Sequence, residues 1–91
     1  MLDVVEAIQS GRVMTYGDIG VYVGDRGPRA VARVLSQHGG GVPWWRVVRA
    51  DGSCAEPVRE RQLAHLRDED VPLRGERIDL ARARWDGVSP S

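Results

Sequence analysis

Apolar positions fall into short runs at helical spacing, punctuated by glycine. Val4, Val5 and Ile8 share one face of a helix predicted over residues 2–10, and Gly11 ends the run. Thr15-Tyr16-Gly17-Asp18 has the spacing of a capping box, in which a hydroxyl and a carboxylate satisfy the free amides of a helix start. A second short helix is therefore predicted from about Tyr16 to Val23, stopped by Gly24, and Gly24-Asp25-Arg26-Gly27 reads as a turn. Pro28 suits the first position of a third helix, where its missing N–H would have no partner anyway, and that helix runs to Gln37 or His38. Ala30, Val31, Val34 and Leu35 form its buried stripe. Arg29, Arg33 and Gln37 recur at four-residue spacing and so share one face.

Two short helices joined by a glycine-containing turn, the second with a basic face, make the helix-turn-helix pattern. Gly39-Gly40-Gly41 then breaks the chain. Arg46 to Arg49 is a β-like run, Asp51-Gly52 is a hairpin turn signal, and Ser53-Cys54-Ala55 is the expected returning strand. A hairpin in that place is a wing. Pro57 opens a fourth helix with Val58, Leu63 and Leu66 inward. Val71-Pro72-Leu73 leads on to Ile78-Asp79-Leu80 and Trp85, and Ser89-Pro90-Ser91 reads as a frayed end. The predicted fold class is mainly α: a winged helix-turn-helix with a short β-hairpin wing. It forms a single domain over 1–91, with its core at about 2–86.

Composition narrows the setting. A chain of 91 residues is one small domain with a modest core. No apolar run approaches the roughly 18 residues that span a membrane. The opening Met-Leu-Asp-Val-Val-Glu lacks a basic segment leading into an apolar stretch, so no secretory signal is expected. With one cysteine, Cys54, no internal disulfide can form, and a reducing cytoplasm is the expected location. The formal net charge is zero, but it is unevenly spread. Residues 26–49 hold five arginines (Arg26, Arg29, Arg33, Arg46, Arg49) and no acid, whereas from Asp51 onward seven arginines face nine acids. The basic middle third is a footprint for phosphate or, alternatively, a solvated face.

The chemistry-bearing residues are sparse. His38, His65 and Cys54 show no metal-ligand spacing, so no metal or other cofactor is expected. Cys54 has no neighbouring histidine to act as base, and the triple glycine lacks the Lys-Ser/Thr of a phosphate-binding loop. These features argue against an enzyme. The unusual feature is Pro43-Trp44-Trp45-Arg46: two adjacent tryptophans are too bulky to leave in water and should line a core or a pocket.

The order Thr-Tyr-Gly-Asp-Ile, Pro-Arg-Ala-Val, Val-Pro-Trp-Trp-Arg-Val-Val and Asp-Gly resembles the C-terminal DNA-binding domain of the alkylguanine-DNA alkyltransferases. It is more closely similar to the alkyltransferase-like proteins, which carry tryptophan in place of the acceptor cysteine. The similarity runs from Val4 to Trp85. It implies recognition of O6-alkylguanine in duplex DNA by a minor-groove helix-turn-helix and base flipping, without alkyl transfer. It also implies a monomer that marks the lesion for nucleotide excision repair proteins, with no membrane partner and a place on the nucleoid when bound.

The resemblance implies roles residue by residue. Arg29 matches an arginine finger that fills the gap left by the extruded base. Tyr16 matches a tyrosine that turns the neighbouring phosphate. Ala30 and Ala32 are small enough for the helix backbone to approach the groove, and Arg33 continues its basic face. Trp44 stands at the acceptor position as a pocket wall. The backbone carbonyls of Trp44 and Val47 match those that accept from the guanine amino group. Arg46 matches an arginine that braces this segment, while Trp45 and Trp85 read as core packing.

Three departures stand out. Trp45 replaces the histidine that activates the transferase cysteine, Ala32 replaces a glycine, and triple glycine replaces an Asn-Pro before Pro43. The loop Ala55-Glu56-Pro57 is short, and Arg59 is the one candidate there to close the pocket. Two rival readings remain at this stage: a winged-helix transcriptional regulator reading sequence from the major groove, and an enzyme using Cys54 as a displaced alkyl acceptor.

Overall fold

The computed structural model describes residues 2–24 and 27–85. Asp25 and Arg26 of the expected turn, and the tail from Asp86 that includes Ser89-Pro90-Ser91, lie outside the described residues. Helix α1 (Leu2–Ala7) is shorter than its apolar spacing predicts. Its end tightens, with the Ile8 amide donating to the Val5 carbonyl at 3.2 Å, and the Ile8 carbonyl just beyond it accepts from the Arg46 guanidinium at 2.7 Å. Strand β1 (Met14–Thr15) follows, then α2 (Tyr16–Tyr22) and α3 (Pro28–His38).

The α2 start is the predicted capping box. The Asp18 amide donates to the Thr15 hydroxyl at 3.0 Å and the Thr15 amide to the Asp18 carboxylate at 3.2 Å. In α3, Val31 is fully buried against α2, while Arg29, Arg33 and Gln37 stay exposed on the shared face. A 3-10 turn over Gly39–Gly41 and another over Trp44–Arg46 lead into β2 (Val47–Val48). A third 3-10 turn (Glu56–Val58) opens α4 (Arg59–Asp68), followed by β3 (Leu73–Arg74), β4 (Arg77–Ile78) and α5 (Leu80–Ala83).

The wing differs from the expectation. Strand β2 pairs with β1 in parallel, Met14 opposite Val47 and Thr15 opposite Val48. Ser53-Cys54-Ala55 forms no strand. The Asp51-Gly52 turn does form: the Gly52 amide donates to the Arg49 carbonyl at 2.8 Å, and the Arg49 amide to the Ser53 carbonyl at 3.0 Å. The chain is then diverted, because Gly52 at φ +83° accepts the Ile78 amide at 2.9 Å and Cys54 drops into the core. The antiparallel hairpin is β3–β4, Leu73 opposite Ile78, turning at Gly75. By sequence that segment is only a connector from Val71-Pro72-Leu73 to Ile78.

The parallel pair divides the core in two. Successive residues of a strand point to opposite faces. Met14 and Val47 therefore join Val5, Ile8, Ile19, Val31, Val42 and Trp85 on the α1–α2–α3 side. Val13 and Val48 join Cys54, Leu63, Leu66, Val71, Ile78 and Ala83 on the α4–α5 side. Each Val, Leu, Ile or Met among them contributes about 1.5–3 kcal/mol when fully buried. Trp85 is held as well as buried: its amide donates to the Val13 carbonyl at 2.8 Å, which ties the end of the described chain to the centre.

Candidate nucleic-acid interface

Between α2, α3 and the start of α4 lies a cavity of about 490 Å³. Tyr16, the first residue of α2, lines it from one side. Ala32, Leu35 and Ser36 on α3 form its floor, and Trp44 and Arg61 face it from the 3-10 turn and α4. A second hollow of about 520 Å³ lies along Met14, Asp18, Val21, Tyr22, Arg84 and Trp85. It contains none of the basic α3 face and neither residue of the tryptophan pair. The first cavity is therefore the site.

A polar lattice sets the tryptophan pair. Trp44 and Trp45 meet edge to face, with ring centroids 6.0 Å apart. Trp45 stacks on His65 at 4.2 Å and donates its indole N–H to Glu69 at 3.0 Å. Glu69 also receives the Arg46 guanidinium, at 2.9 Å to Nε and 2.5 Å to Nη2. Burial pushes the Glu69 carboxyl up, but the hydrogen bonds from Arg46 and Trp45 outweigh it and hold it below the ordinary glutamate value. Arg46 thus braces the segment from both sides, through Glu69 and the Ile8 carbonyl. Trp45 packs against the α4–α5 core, as expected, and is also anchored by a hydrogen bond that no local pattern signals.

Backbone carbonyls here are largely engaged. The buried Gln62 amide donates to the Val47 carbonyl at 2.8 Å and to the Trp45 carbonyl at 3.0 Å. The Trp44 carbonyl accepts from the Val47 amide. Val47 itself is fully buried in the core and does not line the cavity, whereas Trp44 does.

The structure brings Tyr16 and Trp44 to one cavity and sets Ala32 between them. Arg29 and Arg33 lie on the exposed face of α3, with Ala30 half-buried beside them. Arg59 is engaged elsewhere, with Glu56 at 3.5 Å and Glu76 at 3.6 Å. The residue that sequence reasoning missed is Arg61, whose guanidinium sits 5.6 Å from the Trp44 ring centroid. Residues two apart on a helix point about 200° away from each other, so Arg59 and Arg61 cannot serve the same cavity. The four-residue spacing of Arg61 and His65, both beside the tryptophan pair, is the signal that distinguishes them.

Charge is segregated in space as well as in sequence. The described carboxylates that form ion pairs take Arg46, Arg59, Arg77 and Arg84. Among the described residues, eight arginines pair with no carboxylate: Arg29, Arg33, Arg49 and Arg61 lie on α3 or on segments near the cavity, while Arg12, Arg67, Arg74 and Arg82 do not line it. A chain of zero net charge thereby presents local positive potential. Burial raises the Tyr16 phenol above its ordinary value, against the lowering effect of Arg49, so at neutral pH it is an O–H donor. Cys54 is buried away from the cavity, and burial raises its thiol too, which leaves little thiolate.

The family profile described as 6-O-methylguanine DNA methyltransferase, DNA binding domain, matches residues 1–71. The chain belongs to that family. Within it the chain is an alkyltransferase-like protein. It is similar to the DNA base-flipping protein of Escherichia coli K12, 40% identical over 89 residues that span 91% of this chain and 69% of the relative. It is also similar to a bifunctional methyltransferase/endonuclease of Picrophilus torridus, 32% identical over 89 residues but covering 30% of that longer protein. Among solved structures, S. pombe Atl1 in complex with damaged DNA containing O6-carboxymethylguanine matches at a TM-score of 0.80 and 28% identity. That match spans 92% of this chain and 89% of the other. A second S. pombe ATL complex with DNA matches at a TM-score of 0.71 and 31% identity, over 80% and 74%. For this alkyltransferase-like protein, family membership takes the place of the transcriptional-regulator alternative.

Proposed function

We propose that this alkyltransferase-like protein binds O6-alkylguanine in duplex DNA, holds the flipped base in the Tyr16–Trp44 cavity and transfers nothing. The observation that carries the reading is the convergence of Tyr16, Trp44 and Arg61 on one cavity beside the basic face of α3. A base leaving the stack costs a few kcal/mol, less where alkylation has already weakened its pairing. Arg29, exposed near the start of α3, is the finger that fills the vacated stack, since a planar guanidinium both stacks and hydrogen-bonds. Ala30 and Arg33 share its approach to the groove, and the Trp44 carbonyl, one lone pair of which takes the Val47 amide, offers the other to the guanine amino group. The fully buried Val47, whose carbonyl accepts from Gln62, does not share that role.

Trp44 occupies the acceptor position. An indole is a poor nucleophile beside a thiolate, and Cys54 neither lines the cavity nor ionises readily. The bound complex then acts as a signal: a monomer working in the cytoplasm on the nucleoid, presenting the lesion to nucleotide excision repair proteins.

The test is a gel-shift series on one duplex carrying guanine or O6-methylguanine at a single site, followed by intact mass of the protein. Preferential binding of the methylated duplex with unchanged mass is expected. Equal affinity for the two duplexes would remove the lesion reading. A methyl mass on the protein would remove the claim of no transfer.

A further inference from the structure

The register of the parallel strands places one more cation beside the cavity. Met14 lies opposite Val47 and Thr15 opposite Val48, and Tyr16 and Arg49 are the residues that leave the two strands at the same end. Both strands end there, and both residues lie at the same end of the sheet. Arg49 is exposed, pairs with no carboxylate among the described residues, and acts electrostatically on both the Tyr16 phenol and the Cys54 thiol. Tyr16 lines the cavity.

Its backbone is pinned. The Arg49 amide and carbonyl close the turn to Ser53 and Gly52. Asp51 accepts from the Ser53 amide at 2.9 Å and the Ser53 hydroxyl at 2.6 Å, and Gly52 is bonded to Ile78. The nearest acid in sequence, Asp51, is thus occupied by Ser53 and lies 4.0 Å from Arg77. A rigid turn that fixes a cation while its acidic neighbour is bound elsewhere leaves that cation for an external anion.

We infer that Arg49 supplies a second donor beside Tyr16, whose phosphate role the family resemblance already implies, so that the two clamp one backbone phosphate adjoining the extruded nucleotide. A nucleobase inside the cavity remains attached to its sugar, and the phosphates flanking that sugar must pass the rim. A guanidinium and a protonated phenol side by side at that rim present charge-assisted donors to one phosphate, which positions the strand without reading its sequence. Arg29 and Arg33 act from α3; Arg49 acts from the end of β2.

This inference rests on the lesion-binding reading, and the experiment separates the two. Affinity for guanine and O6-methylguanine duplexes is measured for the protein, Arg49→Ala and Arg49→Lys as a function of salt. Matched methylated duplexes carry one neutral methylphosphonate on either side of the lesion. Arg49→Ala is expected to bind the methylated duplex about tenfold more weakly, with the slope of log affinity against log salt reduced by about 0.9. Arg49→Lys recovers the salt slope. Neutralising one of the two linkages costs the unaltered protein about tenfold, and costs Arg49→Ala clearly less, because only the Tyr16 hydrogen bond to that phosphate is left to weaken. Melting temperature reports that the variants are folded. If the unaltered protein prefers the methylated duplex but the methylphosphonate and Arg49→Ala losses add, the clamp is overturned and lesion binding stands. If the unaltered protein shows no preference, both fall.

Discussion

The guanidinium of Arg61 lies over the indole of Trp44, 5.6 Å from its ring centroid. The two line the cavity from different elements, Trp44 on the 3-10 turn before β2 and Arg61 on α4. A base entering this space meets an aromatic wall and an exposed cation together. Arg61→Ala is therefore expected to weaken binding of an O6-methylguanine duplex by about fivefold, the scale of an exposed cation–π contact, and to change binding of unmodified duplex less than twofold. Fluorescence anisotropy on the two duplexes checks this. Equal losses on both would make Arg61 a backbone contact only.

On α3, Arg29 and Arg33 share a face but differ by one helical turn. If Arg29 enters the stack, Arg29→Ala reduces lesion affinity more than Arg33→Ala, by at least fivefold on the scale of one charge-assisted hydrogen bond. Arg33→Ala lowers affinity for methylated and unmodified duplexes alike. Titration of both variants on both duplexes separates the roles, and equal losses would reduce Arg29 to a phosphate contact.

The Arg46–Glu69 pair carries a pH signature. Both side chains are largely buried, at 15% and 12% exposure, and the Glu69 carboxyl is held below its ordinary value. A depressed carboxylate contributes stability that is fully present above its unfolded value, about 4.3, and is lost as pH falls through the folded one. Glu69→Gln is expected to cost about 3 kcal/mol at pH 7, because Arg46 loses its counter-charge, and to flatten the acid limb of stability. Asp18, held low chiefly by the Arg84 hydrogen bond, keeps the same sign and remains in the variant, so the limb shrinks rather than vanishes. Urea midpoints between pH 3 and 7 for the two proteins give the comparison.

Gly52 is constrained twice. Its φ is +83°, and a Cβ there would lie 2.5 Å from the Ile78 carbonyl oxygen. Gly52→Ala is expected to cost about 2 kcal/mol, a drop in melting temperature of roughly 10 °C for a domain of this size. A melting temperature within 2 °C of the parent would mean that the β4 backbone yields at little cost.

The features legible in the chain were those specified within a few residues. The capping box needs only Thr15 and Asp18, three positions apart. Pro28 marks the start of α3 through its own fixed φ, and the split of α3 into a buried Val31 and an exposed Arg29–Arg33 face follows from helical period. The four short motifs, ordered along the chain, pointed to the family before any contact was known. Tertiary structure decided what joins distant segments. The Asp51-Gly52 signal was correct as a turn, but whether Ser53–Ala55 returns as a strand depends on Ile78, which takes the Gly52 carbonyl instead. The pairing of β1 with β2, and so the neighbourhood of Tyr16 and Arg49, lies in no local pattern because a two-residue parallel strand needs a partner far along the chain. The choice of Arg61 over Arg59, and the tie from Trp45 and Arg46 to Glu69, arise where α4 packs across the Trp44–Arg46 turn. Short-range chemistry writes elements into sequence; the cavity between them exists only once those elements are packed.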